Sequence, residues 1–239
     1  MLARLVNRAL CVLSCAEPSQ QFPHMPSASN KTTATTTVSE RSYHHGDLRR
    51  TLLEYGWDAV VEAGGKDISL REVARRAGVS PGATFHHFRN KDALLAAVSV
   101  EGFARLTLIR QKRMRSVSNP IEKLRIVLHA YVEFALKNPA IFFLMFRYLT
   151  TTPDDSGEVQ TAALASFDVV RSAFAEATGK ERTDLTLTVD AWAAWAAMHG
   201  TASLLATAGP RARVDPRIST DRLIERAVDM VLDGLASTH

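Results

Sequence analysis

The chain has 239 residues, of which 46% are hydrophobic and 23% charged, with a formal net charge of +4. That apolar fraction excludes disorder throughout and is enough for the core of one large domain or two small ones. The charge is uneven: residues 1–40 hold 3 basic and 2 acidic side chains, residues 41–115 hold 14 and 8, and residues 116–239 hold 12 and 15. A compact basic block suited to a polyanion is thus joined to a mildly acidic remainder.

The two cysteines, Cys11 and Cys15, lie near the N-terminus, so neither a disulfide framework nor a Cys-based zinc site organises the chain, and a reducing cytoplasm is expected. Residues 4–15 imitate the start of a signal peptide, but Asn7 and Arg8 interrupt the apolar run. Residues 17–40 are rich in Ser, Thr and Pro, so residues 1–40 are expected to be a disordered extension, with Met25 a candidate alternative start.

From Tyr43 onward the pattern is helical, without period-2 stretches bounded by hairpin turns, and predicts an all-α chain of about nine helices. A first helix is expected over residues 47–63, with Leu48, Leu52, Tyr55, Ala59 and Val60 near one face and Gly64-Gly65 ending it. Ser69 opens a short second helix, Glu72 completes a capping box with it, and Gly78 closes it. Ser80 caps a third helix with Pro81 at its first position, expected to reach Phe88. A long fourth helix starts near Asn90, and its basic end, residues 110–115, reads as complementing the helix dipole. Asn119-Pro120 and Asn138-Pro139 start the fifth and sixth helices, and residues 150–157 read as a loop. Three more helices are expected over residues 158–177, 184–208 and 220–235. The eighth segment is apolar enough to be weighed as a membrane span, but Asp190 and His199 interrupt it and no anchors flank both ends.

Two short helices joined by a glycine-containing turn make a helix-turn-helix, over residues 69–88, whose second helix enters the DNA major groove. Ala74 permits close approach of the two helices, Gly78 supplies the turn, and Leu70, Val73, Val79 and Phe88 can pack the unit. The run SLREVARRAGVSPGATFHHFRNKDALL, from Ser69 to Leu95, resembles the tetracycline-repressor (TetR) family of bacterial regulators. The preceding Tyr43 to Arg49 is similar to the opening of that family's first helix. The resemblance implies a DNA-binding domain over residues 46–106, an effector-binding and dimerisation domain over residues 116–239, and a homodimer on double-stranded DNA.

Carried onto this sequence, the resemblance points to Tyr43, Ser69, Arg71, Ser80, Pro81, Gly82, Ala83, Thr84, Phe85, His86, His87 and Lys91 as DNA contacts. Pro81 to Thr84 take the exposed start of the recognition helix, and His87 and Lys91 the place of phosphate contacts. Phe85 stands where most members carry Tyr and Ala83 where Thr is frequent, which shifts discrimination toward Arg71 and DNA shape. His86 and His87 are adjacent, so they point about 100° apart and do not form a metal site.

In the second half, Trp195, His199 and Gly200 are similar to a Trp-x-x-x-His-Gly motif of one subgroup. Trp192, Trp195 and His199 fall on one helix face, with Ala193, Ala197, Gly200 and Ala202 allowing close helix approach. The last helix carries Leu223, Ile224, Ala227, Val228, Val231, Leu232 and Leu235 in a stripe too broad for one neighbour, which predicts a dimer seam. Met114, Phe142, Phe143 and Phe146, with Trp192, Trp195 and His199, are the candidate lining for a small apolar effector. No GxSxG, Walker loop, HExxH or Cys/His cluster occurs, and Asp154-Asp155 sits in a loop without partners, so no catalysis, cofactor or metal is expected. A repressor of palindromic operators is the reading favoured; a helical protein binding nucleic acid without sequence preference is the alternative.

Overall fold

The computed structural model describes residues 48–64, 66–150, 157–207 and 217–236. The expectations for residues 1–40, Tyr43 and Asp154-Asp155 lie outside them. The described residues form nine helices and no strand: α1 (Leu48–Ala63), α2 (Leu70–Arg76), α3 (Pro81–Phe85), α4 (Lys91–Met114), α5 (Pro120–Lys137), α6 (Pro139–Thr150), α7 (Glu158–Thr178), α8 (Leu185–Ala206) and α9 (Thr220–Ala236).

Most helix starts follow the local chemistry of the sequence. The side-chain oxygens of Ser80, Asn90 and Asn119 accept from the backbone N–H three residues on, at 3.2, 2.8 and 3.1 Å, and Pro81 and Pro120 take first-turn positions that need no donor. The capping box expected at Ser69 does not form. Ser69 makes no side-chain cap bond, and the reciprocal acceptor of the box, the Glu72 carboxylate, is taken by Arg75 at 2.7 and 2.8 Å and by Arg76 at 3.0 Å. Charged donors one turn away outcompete a lone backbone N–H. Those two guanidinium groups hold the Glu72 carboxyl down at about 2.

Between α2 and α3, Gly78 adopts φ +68°, and Val79 N–H donates to the Ala74 carbonyl at 3.0 Å, closing a left-handed helix stop. α3 ends at Phe85 rather than Phe88. Phe88 instead plugs the base of the three-helix head, buried beneath the Arg49 guanidinium at 5.3 Å from its ring centroid. On the other side of the head, α1 approaches α4 closely enough that a Cβ on Gly56 would meet Leu94 at 3.0 Å, and Arg105 lies 3.9 Å over the Trp57 ring.

α4 and α5 form the centre of the remaining bundle, with α4 packed on α5, α6 and α7, and α5 on α7 and α8. α9 packs on α5 and α8 and buries only Ile224 and Val228 deeply. α4 and α6 meet most tightly at Gly102: a Cβ there would lie 2.5 Å from Met145 Sδ and 3.1 Å from Ile141 Cγ2. No single helix among the described residues is long and apolar enough to cross a membrane, including the eighth segment; only α5 and α6 together pass that test, across a 107° bend, and both contribute heavily to the core.

Candidate DNA interface and effector site

The outer surface of the head is built from α2, the turn and α3. Arg71, Ser80, Pro81 and Gly82 are exposed, Ala83 is half-buried, and Phe85, His86 and His87 are exposed. A Cβ added to Gly82 would meet only Ser80 Oγ, at 3.8 Å. The start of α3 thus presents small side chains on an open face, so its backbone can come close to another surface.

Two expected contacts are placed differently from expectation. Thr84 is fully buried, one turn before Phe88 and on the same inward face, and its Oγ1 has no hydrogen-bond partner. Its side chain packs the head and is not available to base edges. Lys91 is half-buried, with its Nζ 2.6 Å from Asp67 Oδ1 in the loop between α1 and α2. That hydrogen bond, with the lysine charge, lowers the Asp67 carboxyl below its ordinary value. A phosphate at this position must therefore take Lys91 from an internal partner.

The second constellation lies inside the bundle. Phe142, Phe146, Trp195 and His199 stack in one cluster, with Phe146 4.3 Å and Trp195 5.5 Å from the His199 ring, and Trp192 joins through Trp195 at 6.0 Å. Helical spacing on α6 and α8 produces this, because residues three and four apart share a face. Phe143 touches Phe142 edge-on but is 43% exposed, lining a groove of about 660 Å³ with Val61, Lys66, Asp67 and Ile68 of the head. Met114 is half-buried at the far end of α4; no described contact brings it to the cluster.

Three residues at the heart of this region are not legible as site residues in the sequence. Tyr131 on α5 is buried, with its hydroxyl 2.8 Å from His199 Nδ1. A neutral imidazole has one donor and one acceptor nitrogen. With Tyr131 O–H donating to Nδ1, Nε2–H faces Ser203 Oγ at 3.4 Å. Burial pushes the His199 pKa down to about 4, so the ring is neutral near pH 7. Burial also raises the Tyr131 hydroxyl pKa above its usual value, with Arg110 and Trp195 pulling the other way.

Arg110 is the clearest departure from expectation. It belongs to the basic end of α4 yet is only 2% exposed. Its Nε donates to the Val127 carbonyl at 3.2 Å, and Nη1 to the Ser166 carbonyl at 3.1 Å and to Ser166 Oγ at 3.2 Å. Its Cζ lies 5.3 Å from the Tyr131 ring centroid. Burial lowers its pKa to about 10, which still leaves it charged at pH 7. The available signal was register: Phe103, Leu106 and Arg110 follow one another at helical spacing on the buried stripe of α4.

α6 links the two constellations. Phe142 and Phe146 face the aromatic cluster, Met145 meets Gly102 of α4, and Tyr148 O–H donates to Asp92 Oδ1 at 2.8 Å in the first turn of α4. Among the described residues no group of three or more His, Cys, Asp or Glu side chains could hold a metal ion.

Residues 51–98 match the family profile described as bacterial regulatory proteins, tetR family, and residues 124–231 match tetracyclin repressor-like, C-terminal domain. A protein of unknown function from Rhodococcus sp. RHA1 is similar in structure at 33% identity and TM-score 0.69, covering 82% of this chain and 100% of its own. AibR in complex with isovaleryl coenzyme A and operator DNA matches at 20% identity and TM-score 0.55, with 77% and 97% covered. FadR from Bacillus subtilis in complex with stearoyl-CoA matches at 13% identity and TM-score 0.60, with 77% and 98% covered. The head, the helix-turn-helix and the bundle behind it are the architecture these profiles describe, and the chain belongs to the tetracycline-repressor family of DNA-binding transcription regulators.

Proposed function

We propose that this regulator is a cytoplasmic homodimeric repressor that leaves a palindromic operator when a small effector enters the α5–α8 bundle. Residues 46–106 form the DNA-binding domain and residues 116–239 the effector and dimerisation domain. The observation that carries the reading is the double engagement of α6, with Phe142 and Phe146 in the aromatic cluster and Tyr148 on Asp92 at the start of α4. A ligand that separates those rings moves α6, and α6 cannot move without disturbing the tightly packed Gly102 contact and the helix that leads into the head. Effector binding then shifts the population toward dimers whose heads no longer match successive major grooves.

Dimerisation is supported by the outer faces of α8 and α9. Leu185, Val189, Ala193, Ala197 and Leu204 are exposed along α8, four or seven residues apart, and Met230 is exposed on α9. Among the described residues nothing lies within 4 Å of a Cβ added to Gly200, which leaves room there for a second copy. Two such helix pairs make a four-helix seam with two-fold symmetry. The Trp195-x-x-x-His199-Gly200 motif supports a place for the effector half in the subgroup that shares it.

At the DNA, Arg71, Ser69 and Ser80 to Phe85 approach the groove, with Thr84 supporting from beneath, while Tyr43, His86, His87 and Lys91 meet the backbone. The anisotropy of labelled operator DNA, titrated with the purified chain, tests the reading. Saturation at two protomers per half-site pair, reversed by a small molecule, supports it; saturation by a monomer contradicts it.

A further inference from the structure

Arg110 is among the largest fully buried side chains of the described structure, and it is a cation. Its Nε and Nη1 donors meet two main-chain carbonyls and one hydroxyl, whereas Nη2 has no hydrogen-bond partner among the described residues. Among the described residues no carboxylate answers its charge. Acids on the two helices that hold it are engaged elsewhere: Glu122 with Arg125 at 3.8 Å, Glu133 with Arg113 at 2.6 Å, and Asp168 with Arg171 at 2.6 Å and with Arg182. A guanidinium taken out of water without a counter-charge is costly, and chains ordinarily supply an acid partner for it.

The surroundings run in one direction from this charge. Tyr131 stacks against Arg110, His199 bonds Tyr131, and Phe142, Phe146 and Trp195 continue the aromatic wall to half-buried Trp192 and Phe167 near the surface. The imidazole between them is neutral near pH 7 and adds no second cation. A molecule lying along this wall would have its apolar body among the rings and its inner end beside the Arg110 guanidinium, whose Cζ is 5.3 Å from the Tyr131 ring centroid.

We propose that Arg110 is the anion-recognising residue of the effector site and that the effector is a small apolar carboxylic acid, bound as its carboxylate. One negative charge balances one guanidinium, whereas a phosphate monoester near pH 7 brings close to two charges to a site with one cation. The carboxylate accepts from the Nη2 donors, which have no acceptor among the described residues, and the bond gains strength from being charged on both sides. This rests on the effector-release reading and names the class of ligand it requires.

The test uses the full chain on operator DNA recovered by selection, with octanoate, 3-phenylpropanoate, their two amides and octanoyl-CoA as probes. Melting temperature and release of labelled operator are read for each. At least one acid is expected to raise the melting temperature and release the operator, with its amide at least about tenfold weaker, as the loss of a charged hydrogen bond implies. The alkyl and aryl arms separate fatty from aromatic acids. Arg110→Gln is expected to erase the preference for acid over amide; if that variant does not fold, the matched pair on the wild-type chain decides. Ser166→Ala removes one acceptor that competes for the guanidinium and is expected to tighten acid binding. The proposal is overturned if an amide or octanoyl-CoA releases the operator as well as the acids do, if the acid preference survives Arg110→Gln, or if no probe binds. Release by a neutral probe would leave the effector reading intact, whereas a chain that holds no specific operator would remove both.

Discussion

Lys91→Ala isolates the electrostatic part of DNA binding. Lys91 Nζ sits 2.6 Å from Asp67 Oδ1, so on the DNA it trades one anion for another, and its contribution shows in salt dependence more than in affinity at a single salt. Each phosphate neutralised on B-DNA adds about 0.9 to the slope of log K against log salt, so two heads add about 1.8. Over a fourfold change, from about 50 to about 200 mM, a slope difference of that size changes the wild-type to mutant affinity ratio about 12-fold, with the mutant's deficit largest at low salt. Anisotropy titrations at four salt concentrations, on operator and on bulk DNA, measure it; both DNAs should lose the same slope, since phosphates carry no sequence. Asp67→Asn is the reciprocal change: it frees Lys91 and removes the acid paired with it, so it should bind DNA more tightly than wild type. Parallel salt slopes for wild type and Lys91→Ala, or weaker binding by Asp67→Asn, would refute the reasoning.

Tyr131→Phe strips the buried His199 Nδ1 of its partner and should cost about 1–3 kcal/mol in urea denaturation; an unchanged midpoint would mean the pair is not structural. Gly102→Ala drives a methyl into Met145 and should cost about 1–3 kcal/mol. Combined with Met145→Ala, it should cost less than the two single changes added together, by about 1 kcal/mol in a double-mutant cycle. The pKa of His199 is held at about 4, so the folded chain binds fewer protons than the unfolded chain between that value and the ordinary 6.5. Stability from this residue is therefore fully present above the unfolded value and falls as the pH drops through the window, by about 3 kcal/mol in all. His199→Gln should flatten the wild-type pH profile there, and an equal slope in both proteins would remove the assignment. Val189→Asp places a charge on the exposed stripe of α8 and should yield monomers in sedimentation, with operator affinity lost alongside.

Much of the architecture was readable because it rests on local chemistry. Pro81 after Ser80, Pro120 after Asn119 and a left-handed Gly78 each fix a helix start or stop by themselves. The carboxylate half of the capping box at Ser69 failed because Arg75 and Arg76 stand one turn from Glu72, a competition that a motif read in isolation omits. Within the site, spacing on α8 brought Trp192, Trp195 and His199 together as expected, since that relation is confined to one helix. Relations between helices were hidden. Phe143 faces the groove beside the head because α6 turns its neighbours inward, Thr84 turns under the head, and Arg110 points into the bundle although its neighbours Lys112 and Arg113 do not. Tyr131 and Ser166 gain their roles only from the packing of α5 and α7 against α4.

Sequencing the DNA retained by the purified chain from a random pool tests sequence-specific binding by a two-fold symmetric dimer most directly. The expected result is an enriched pseudo-palindrome whose half-sites are spaced by about one helical turn, 10–10.5 bp, or a multiple of it. Retention without any enriched motif would contradict it, and would leave a helical protein that holds DNA through its basic head alone.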